Sequence, residues 1–245
     1  MLEKSMPEDR IYSLPLSQVG DFVFDEKVVE VFPDMISRSV PGYASIVGMT
    51  VELAAKYARP HSYVYDLGCS LGAVTLPMAR RVPESCYVLG IDSSQAMVES
   101  LLQKLEQDQN RSAIEIVQAD IRAVEFEPSS FAVMNYTLQF IPLEDRPNLL
   151  ANVCASLQPG GAFVLSEKVN VGEAEAQEML TDLHHSFKRA NGYSELEIAQ
   201  KRTSLENTLI PESVETHLGR LKAAGFRSAV VWFQCLNFAS FLAIK

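Results

Sequence analysis

Asp66-Leu67-Gly68-Cys69-Ser70-Leu71-Gly72 follows the apolar run Tyr63-Val64-Tyr65 and leads into residues with helical spacing. A Gly-rich turn carries weight as a ligand cradle only in this context, after a strand and at the mouth of a helix. Gly68 lets the chain turn sharply, and Gly72 lets the helix pack close to the sheet. Between them, where a dinucleotide site uses Gly so that backbone can approach a pyrophosphate, stands Ser70. That residue argues against NAD or FAD. It costs little for a nucleoside ligand with no pyrophosphate, such as S-adenosylmethionine.

Outward from the loop, short apolar runs alternate with helical stretches. Tyr87-Val88-Leu89-Gly90-Ile91, Ile114-Glu115-Ile116-Val117, Phe131-Ala132-Val133-Met134 and Ala162-Phe163-Val164-Leu165 read as strands. Helices are expected at about 72–82, 97–105 and 144–157, the last stopped by Pro159-Gly160-Gly161. Such alternation predicts parallel strands joined by crossovers and covered on both faces. The end differs: a helix over 211–224 stops at Gly225, then two β-rich runs, 228–233 and 236–244, form a closing antiparallel hairpin. The expected architecture is α/β and Rossmann-like, a mostly parallel seven-stranded sheet with that hairpin and added helices. Two helical segments fall outside the winding, about 21–58 and about 172–208. The second contains Ser194-Glu195-Leu196-Glu197, a capping-box pattern. One domain over 1–245 is expected.

Polar residues recur at successive strand ends. Asp92, about 20 positions past the loop, is placed to accept from a ribose diol. Asp120 can accept from the exocyclic amine of adenine while Ile121 packs on the ring, and Asn135 faces the same crevice. Singly each is weak, since Asp92 could cap a helix and Asp120 could form a turn. Together with the loop they point to the methyltransferase-type fold.

The 245 residues carry a net charge of -10, with 47% hydrophobic and 21% charged residues. An acidic chain is not expected to bind nucleic acid or an anionic membrane directly. Arg80-Arg81 and Lys188-Arg189 read as solvated helix ends. Cys69, Cys86, Cys154 and Cys235 lack Cys-x-x-Cys spacing, and three sit in apolar runs, which suggests a reducing compartment. Met1 to Asp9 is polar and acidic without an apolar leader region, and no run reaches a membrane span, so a cytoplasmic protein is expected.

The chemistry is less legible. His61, His184, His185 and His217 include no i, i+4 pair, so no metal is expected, and they read as surface or groove residues. No hydrolase signature is present, and Asn135-Tyr136-Thr137-Leu138 lacks the Pro-Pro-Tyr arrangement of nitrogen methylators. From the residues alone the reading is an S-adenosylmethionine-dependent transferase of unknown acceptor. A small-molecule methyltransferase and a non-catalytic S-adenosylmethionine-binding regulator both remain open.

Several runs go beyond the general fold: Val31-Phe32-Pro33-Asp34-Met35-Ile36, Arg38-Ser39-Val40-Pro41-Gly42-Tyr43, Asn191-Gly192-Tyr193-Ser194-Glu195-Leu196-Glu197 and Gln200-Lys201-Arg202. With Tyr65-Asp66-Leu67-Gly68-Cys69-Ser70, Ser213-Val214-Glu215-Thr216-His217 and Trp232-Phe233-Gln234-Cys235, they resemble the carboxy-S-adenosyl-L-methionine synthases from about Gly20 to the C-terminus. The resemblance implies that S-adenosylmethionine and prephenate become carboxy-S-adenosylmethionine and phenylpyruvate, with no metal. It also implies a homodimer, whose product passes to a partner enzyme that carboxymethylates a tRNA wobble uridine. By position it assigns Tyr43, Gly68, Cys69, Ser70, Asp92, Ser93, Asp120, Ile121 and Asn135 to the nucleoside ligand; Ser93 stands where the family has Asn. Arg202 is implied to clamp the added carboxylate, as a guanidinium fork can. The competing reading of Arg202 is a surface residue paired with Glu206, beside a Glu197–Lys201 pair on the same helix.

Overall fold

The computed structural model describes residues 7–107 and 112–245. The first six residues of the N-terminal stretch read as leaderless lie outside the described residues. Two helices, α1 (Glu26–Ser39) and α2 (Tyr43–Tyr57), precede the sheet. The winding then runs β1 (Tyr63–Leu67), α3 (Thr75–Ala79), β2 (Tyr87–Asp92), α4 (Gln95–Leu105), β3 (Ala113–Gln118), β4 (Ser129–Asn135), a 3-10 turn at Leu138–Phe140, α5 (Arg146–Ser156) and β5 (Leu157–Asn170). After it come α6 (Ala174–Ala190), α7 (Glu195–Leu205), the two-residue β6 (Glu212–Ser213), α8 (Val214–Ala223), β7 (Ser228–Cys235) and β8 (Phe238–Ile244).

The seven expected strands lie in the order β3-β2-β1-β4-β5-β8-β7, and β6 adds a short parallel pairing to β5. β1 to β5 are parallel, whereas β8 pairs antiparallel with both β5 and β7. Strand order reverses between β1 and β4, and a ligand crevice on such a sheet opens at the carboxyl ends of the strands flanking that reversal. Alternation along β1 explains the layers. Val64 points into a cluster with α2 and α3, while Tyr65 and Leu67 point into the larger cluster that holds α5 and α8. This central strand is covered on both faces, as parallel strands require.

Two boundaries differ from expectation for tertiary reasons. Helix α3 is shorter than 72–82 because residues 71–74 complete the turn around the loop. Pro159-Gly160-Gly161 ends the preceding helix region but also lies within β5. There the amide of Gly160 donates to the Lys245 carbonyl (2.9 Å), and the amide of Lys245 donates to Gly161 (3.0 Å). A partner strand 85 residues away makes this stop signal into sheet. The capping box forms as expected, with Ser194 and Glu197 satisfying each other's backbone amides. Ser94 caps α4, and its hydroxyl donates to the Phe24 carbonyl (2.7 Å), which fastens the N-terminal segment to the sheet.

The turn out of β1 is held from outside. Gly68 has φ +85°, and a Cβ there would stand 2.1 Å from Oγ1 of Thr137, the residue two past β4. Gly68→Ala should therefore lower the free energy of unfolding by about 1–3 kcal/mol from backbone strain alone, read from urea denaturation. A loss within error of zero would show that neither the left-handed backbone at Gly68 nor the approach of Thr137 constrains this turn.

Candidate active site

The crevice is assembled from backbone before side chains. The amides of Gly68 (2.8 Å) and Cys69 (3.0 Å) both donate to the Ile91 carbonyl, drawing the loop against β2. The carboxylate of Asp92 then accepts from two amides, Ser70 (2.9 Å on Oδ2) and Ser94 (2.9 Å on Oδ1). Asp92 is thus oriented by both loops it touches, and each oxygen keeps a lone pair for a ligand hydroxyl. Burial pushes its pKa up, against the pull of the amides of Ser94, Ser70 and Ser93. Ser70 adopts a left-handed φ of 48°, a strain that the Asp92 bond opposes.

Behind the loop, Asp66 is fully buried. Burial raises its carboxyl to about 6, opposed by the hydroxyl of Thr75 (2.6 Å) and reinforced by Asp92. Tyr43, the first residue of α2, has its phenol pushed up to about 12 by burial and then by Asp66. The Cys69 thiol is buried and raised far above its usual range, so it is an apolar wall rather than a nucleophile.

Asn135 ends β4 with both side-chain polar atoms buried and unpartnered among the described residues. Leaving such groups unmet costs about 1–3 kcal/mol each, so this amide is built to meet something absent from the free protein. Asp120 and Ile121 follow β3, where the Ala119 amide donates to the Asp92 carbonyl (3.0 Å). Arg122 grips Asp120 through Nε (3.0 Å) and Nη2 (2.5 Å) and also reaches Asp145 (2.6 Å). That pairing holds Asp120 below its ordinary range and occupies most of its acceptor positions. Ile121 belongs to the main apolar cluster, and Ser93 is exposed, with its amide directed to Asp92.

Arg202 stands in the last turn of α7, exposed, and makes no hydrogen bond or ion pair with a described residue. The alternative pairing with Glu206 does not form. Its charge bears instead on Lys168 of β5 and His185 of α6. The expected Glu197–Lys201 pair is also absent. Glu197 is taken by the capping box, and Lys201 turns inward to Ser39 (3.4 Å) and Asp9 (3.7 Å). Nor is Lys188 a solvated helix end; it is 8% exposed. His184 and His217, read as surface or groove residues, are buried, the former bonded to the Ser39 carbonyl (2.8 Å).

One organising residue is missing from the sequence reading. Glu167 is wholly buried in β5 and accepts from the amides of Leu138 (3.0 Å) and Gln139 (2.9 Å), with Thr137 contributing. Burial raises it to about 8, against the nearby Arg146 and these amides. The available signal is the pair Glu167-Lys168 two residues past the apolar run Ala162-Phe163-Val164-Leu165, since charges are rarely buried without a task.

Residues 64–161 match the model of a methyltransferase domain family. The carboxy-S-adenosyl-L-methionine synthase of Vibrio cholerae is 50% identical over 240 residues, covering 98% of each chain. That of Aliivibrio fischeri is 51% identical over 238 residues, covering 97% of this chain and 98% of its own. The chain belongs to the carboxy-S-adenosyl-L-methionine synthase family. It is a transferase built for S-adenosylmethionine. Solved structures agree on the fold. A human N-acetylserotonin methyltransferase, solved with its S-adenosylmethionine, has a TM-score of 0.60 at 16% identity, covering 90% of this chain and 55% of that one. The magnesium protoporphyrin IX methyltransferase of Synechocystis gives 0.59 at 16%, covering 92% and 90%.

The raised Glu167 makes a pH prediction for this synthase-family chain. The folded state holds its proton up to about pH 8, whereas the unfolded value is 4.5. Between those limits the native state binds more protons, so stability falls as pH rises. Glu167→Gln should remove this slope, and the difference in urea midpoint between wild type and variant should change steadily from pH 5 to 8. Parallel profiles would sink the assignment.

Proposed function

We propose that the chain carboxylates S-adenosylmethionine, taking the carboxyl group from prephenate and releasing phenylpyruvate. The observation that carries this reading is the identity with curated synthases across 98% of both chains, α6 and α7 included, rather than across the nucleoside half alone. The bonds balance. Prephenate breaks its ring-to-carboxylate bond, expels hydroxide and becomes aromatic. Hydroxide takes a proton from the methyl beside the sulfonium, giving water, and a new carbon–carbon bond joins that carbon to the CO2.

The protein's share is binding and exclusion of water. Asp92 takes the ribose diol on its free lone pairs. Tyr43, Ile121 and the backbone of Gly68 to Ser70 and Ser93 surround the nucleoside, Asp120 takes the adenine amine, and Asn135 satisfies its orphaned amide on the ligand. Arg202 receives the new carboxylate. A proton acceptor that leaves prephenate itself makes a dedicated base unnecessary, in keeping with the inert Cys69 and the engaged Glu167. A dry pocket keeps CO2 and the activated methyl from water. In this reading residues 1–245 act as one domain, a cytoplasmic homodimer that touches no nucleic acid or membrane and hands its product to a tRNA-carboxymethylating enzyme.

Incubation of purified protein with S-adenosylmethionine and prephenate should yield a cofactor heavier by one CO2, with phenylpyruvate, by mass spectrometry. S-adenosylhomocysteine with a methylated product would establish a methyltransferase instead, and binding without turnover a regulator. Arg202→Ala should weaken carboxy-S-adenosylmethionine by about 2 kcal/mol or more while sparing S-adenosylmethionine. Equal losses for both ligands in calorimetry would remove Arg202 from the carboxylate.

A further inference from the structure

Beyond Arg202, two lysines beside α6 stand without an acid paired to them among the described residues. Lys188 is buried at 8% exposure, and Lys168 is half-buried at the end of β5. Neither ammonium makes a hydrogen bond or ion pair with a described residue. The groups acting on them are Lys201, Lys168 and Asp9 for Lys188, and Arg202 for Lys168. Asp9 is already engaged, accepting from the Tyr193 hydroxyl (2.5 Å) and pairing with Lys201 (3.7 Å). Asp34, the next acid, is held by Arg38 (2.6 Å). In a chain of net charge -10 this concentration of unpaired cations is not incidental to composition.

Burying an ammonium without a counter-ion is costly, and the usual response is to shed the proton. Burial and the neighbouring cations accordingly lower Lys188 to about 7, lower Lys168, and bring His184 to about 3. An arriving anion reverses that strain. A series of rings also leads from the nucleoside crevice to these cations. Tyr43 lies 6.3 Å from Tyr136, Tyr136 is 6.0 Å from Phe238, and Phe238 is 5.0 Å from His184. These packed rings, Tyr136, Phe238 and His184 all buried, join the lysines to the nucleoside end through contiguous side chains.

We infer that Lys168 and Lys188, flanked by His185 and Arg202, receive a carboxylate of the second substrate, a cyclic dicarboxylate. The identity of that substrate rests on the proposed function; the demand for an organic anion does not. Arg202 serves the carboxyl group that moves, and the lysine pair serves the one that stays, so the donor is held at the end away from the reacting carbon.

The test is calorimetric, with prephenate titrated into protein saturated with S-adenosylhomocysteine. Lys188→Met and Lys168→Met should each weaken prephenate by about 10-fold or more, the loss expected for a desolvated charge pair. Lys188→Arg should retain most of the affinity. Unchanged binding of S-adenosylhomocysteine reports an intact fold. If the methionine variants lose that too, the wild type decides. Lys188, facing Lys201, Lys168, Asp9 and the rings of His184 and His185, should take up protons as prephenate binds at pH 7.5, seen as heats that vary with buffer ionisation enthalpy. Methionine variants that bind prephenate like wild type, wild type that binds none, or, in the fallback, absence of proton uptake would each overturn the inference. Failure of wild type to carboxylate S-adenosylmethionine, with prephenate binding still dependent on Lys188, would overturn the proposed function and leave the anion site standing.

Discussion

The carboxylate of Asp92 accepts from the amides of Ser70 and Ser94, and the rest of the crevice is arranged around that pair of hydrogen bonds. Each amide belongs to a different loop, one leaving β1 and one leaving β2. Fixing both on one side chain sets the distance between strand ends. Ser70 is held in its left-handed conformation, and the α4 cap at Ser94 is placed where its hydroxyl can fasten the N-terminal segment. Glu167 repeats the device on the other side of the crevice, gathering the amides after β4. The ligand therefore meets a surface whose geometry is fixed before binding, which reduces the ordering cost of association.

What was legible in the sequence is what depends on neighbours close in the chain. The Asp66–Gly72 turn, the capping box at Ser194 and the alternation of strand with helix are decided within a few residues, and all appear as read. What was not legible depends on partners far away. Spacing pairs Lys201 with Glu197 four residues earlier, but Asp9 and Ser39 take it from the N-terminal side. Lys188 reads as a helix-end charge until α6 is seen packed under other elements. Glu167 reads as a strand irregularity until the turn it caps is placed beneath it. Side chains that act on a distant part of the chain leave no periodic trace.

The distribution of charge follows from the same packing. Much of the acid excess is exposed, as on Glu52, Glu195 and Asp145, where ion pairs with Arg81, Arg189 and Arg122 contribute little to stability. Lys188 and Lys201, by contrast, are drawn inward between α6, α7 and the N-terminal residues. The acid excess thus lies mostly at the surface while these two ammonium groups lie inside it, the kind of separation that shapes a local field.

This contrast bears on how one fold supports different chemistry. Solved methyltransferases at 16% identity share the sheet and its crevice, so the fold alone does not say what becomes of the methyl group. Methyl transfer moves a carbon away from the sulfonium and brings no second negative charge to it. Carboxylation needs an anionic donor beside the cation and leaves a carboxylate behind. The elements that supply unpaired positive charge here, α6, α7 and the end of β5, lie outside the loop that cradles the nucleoside. The nucleoside end of the crevice can stay constant while the reaction changes, because the two demands are met by different parts of the chain.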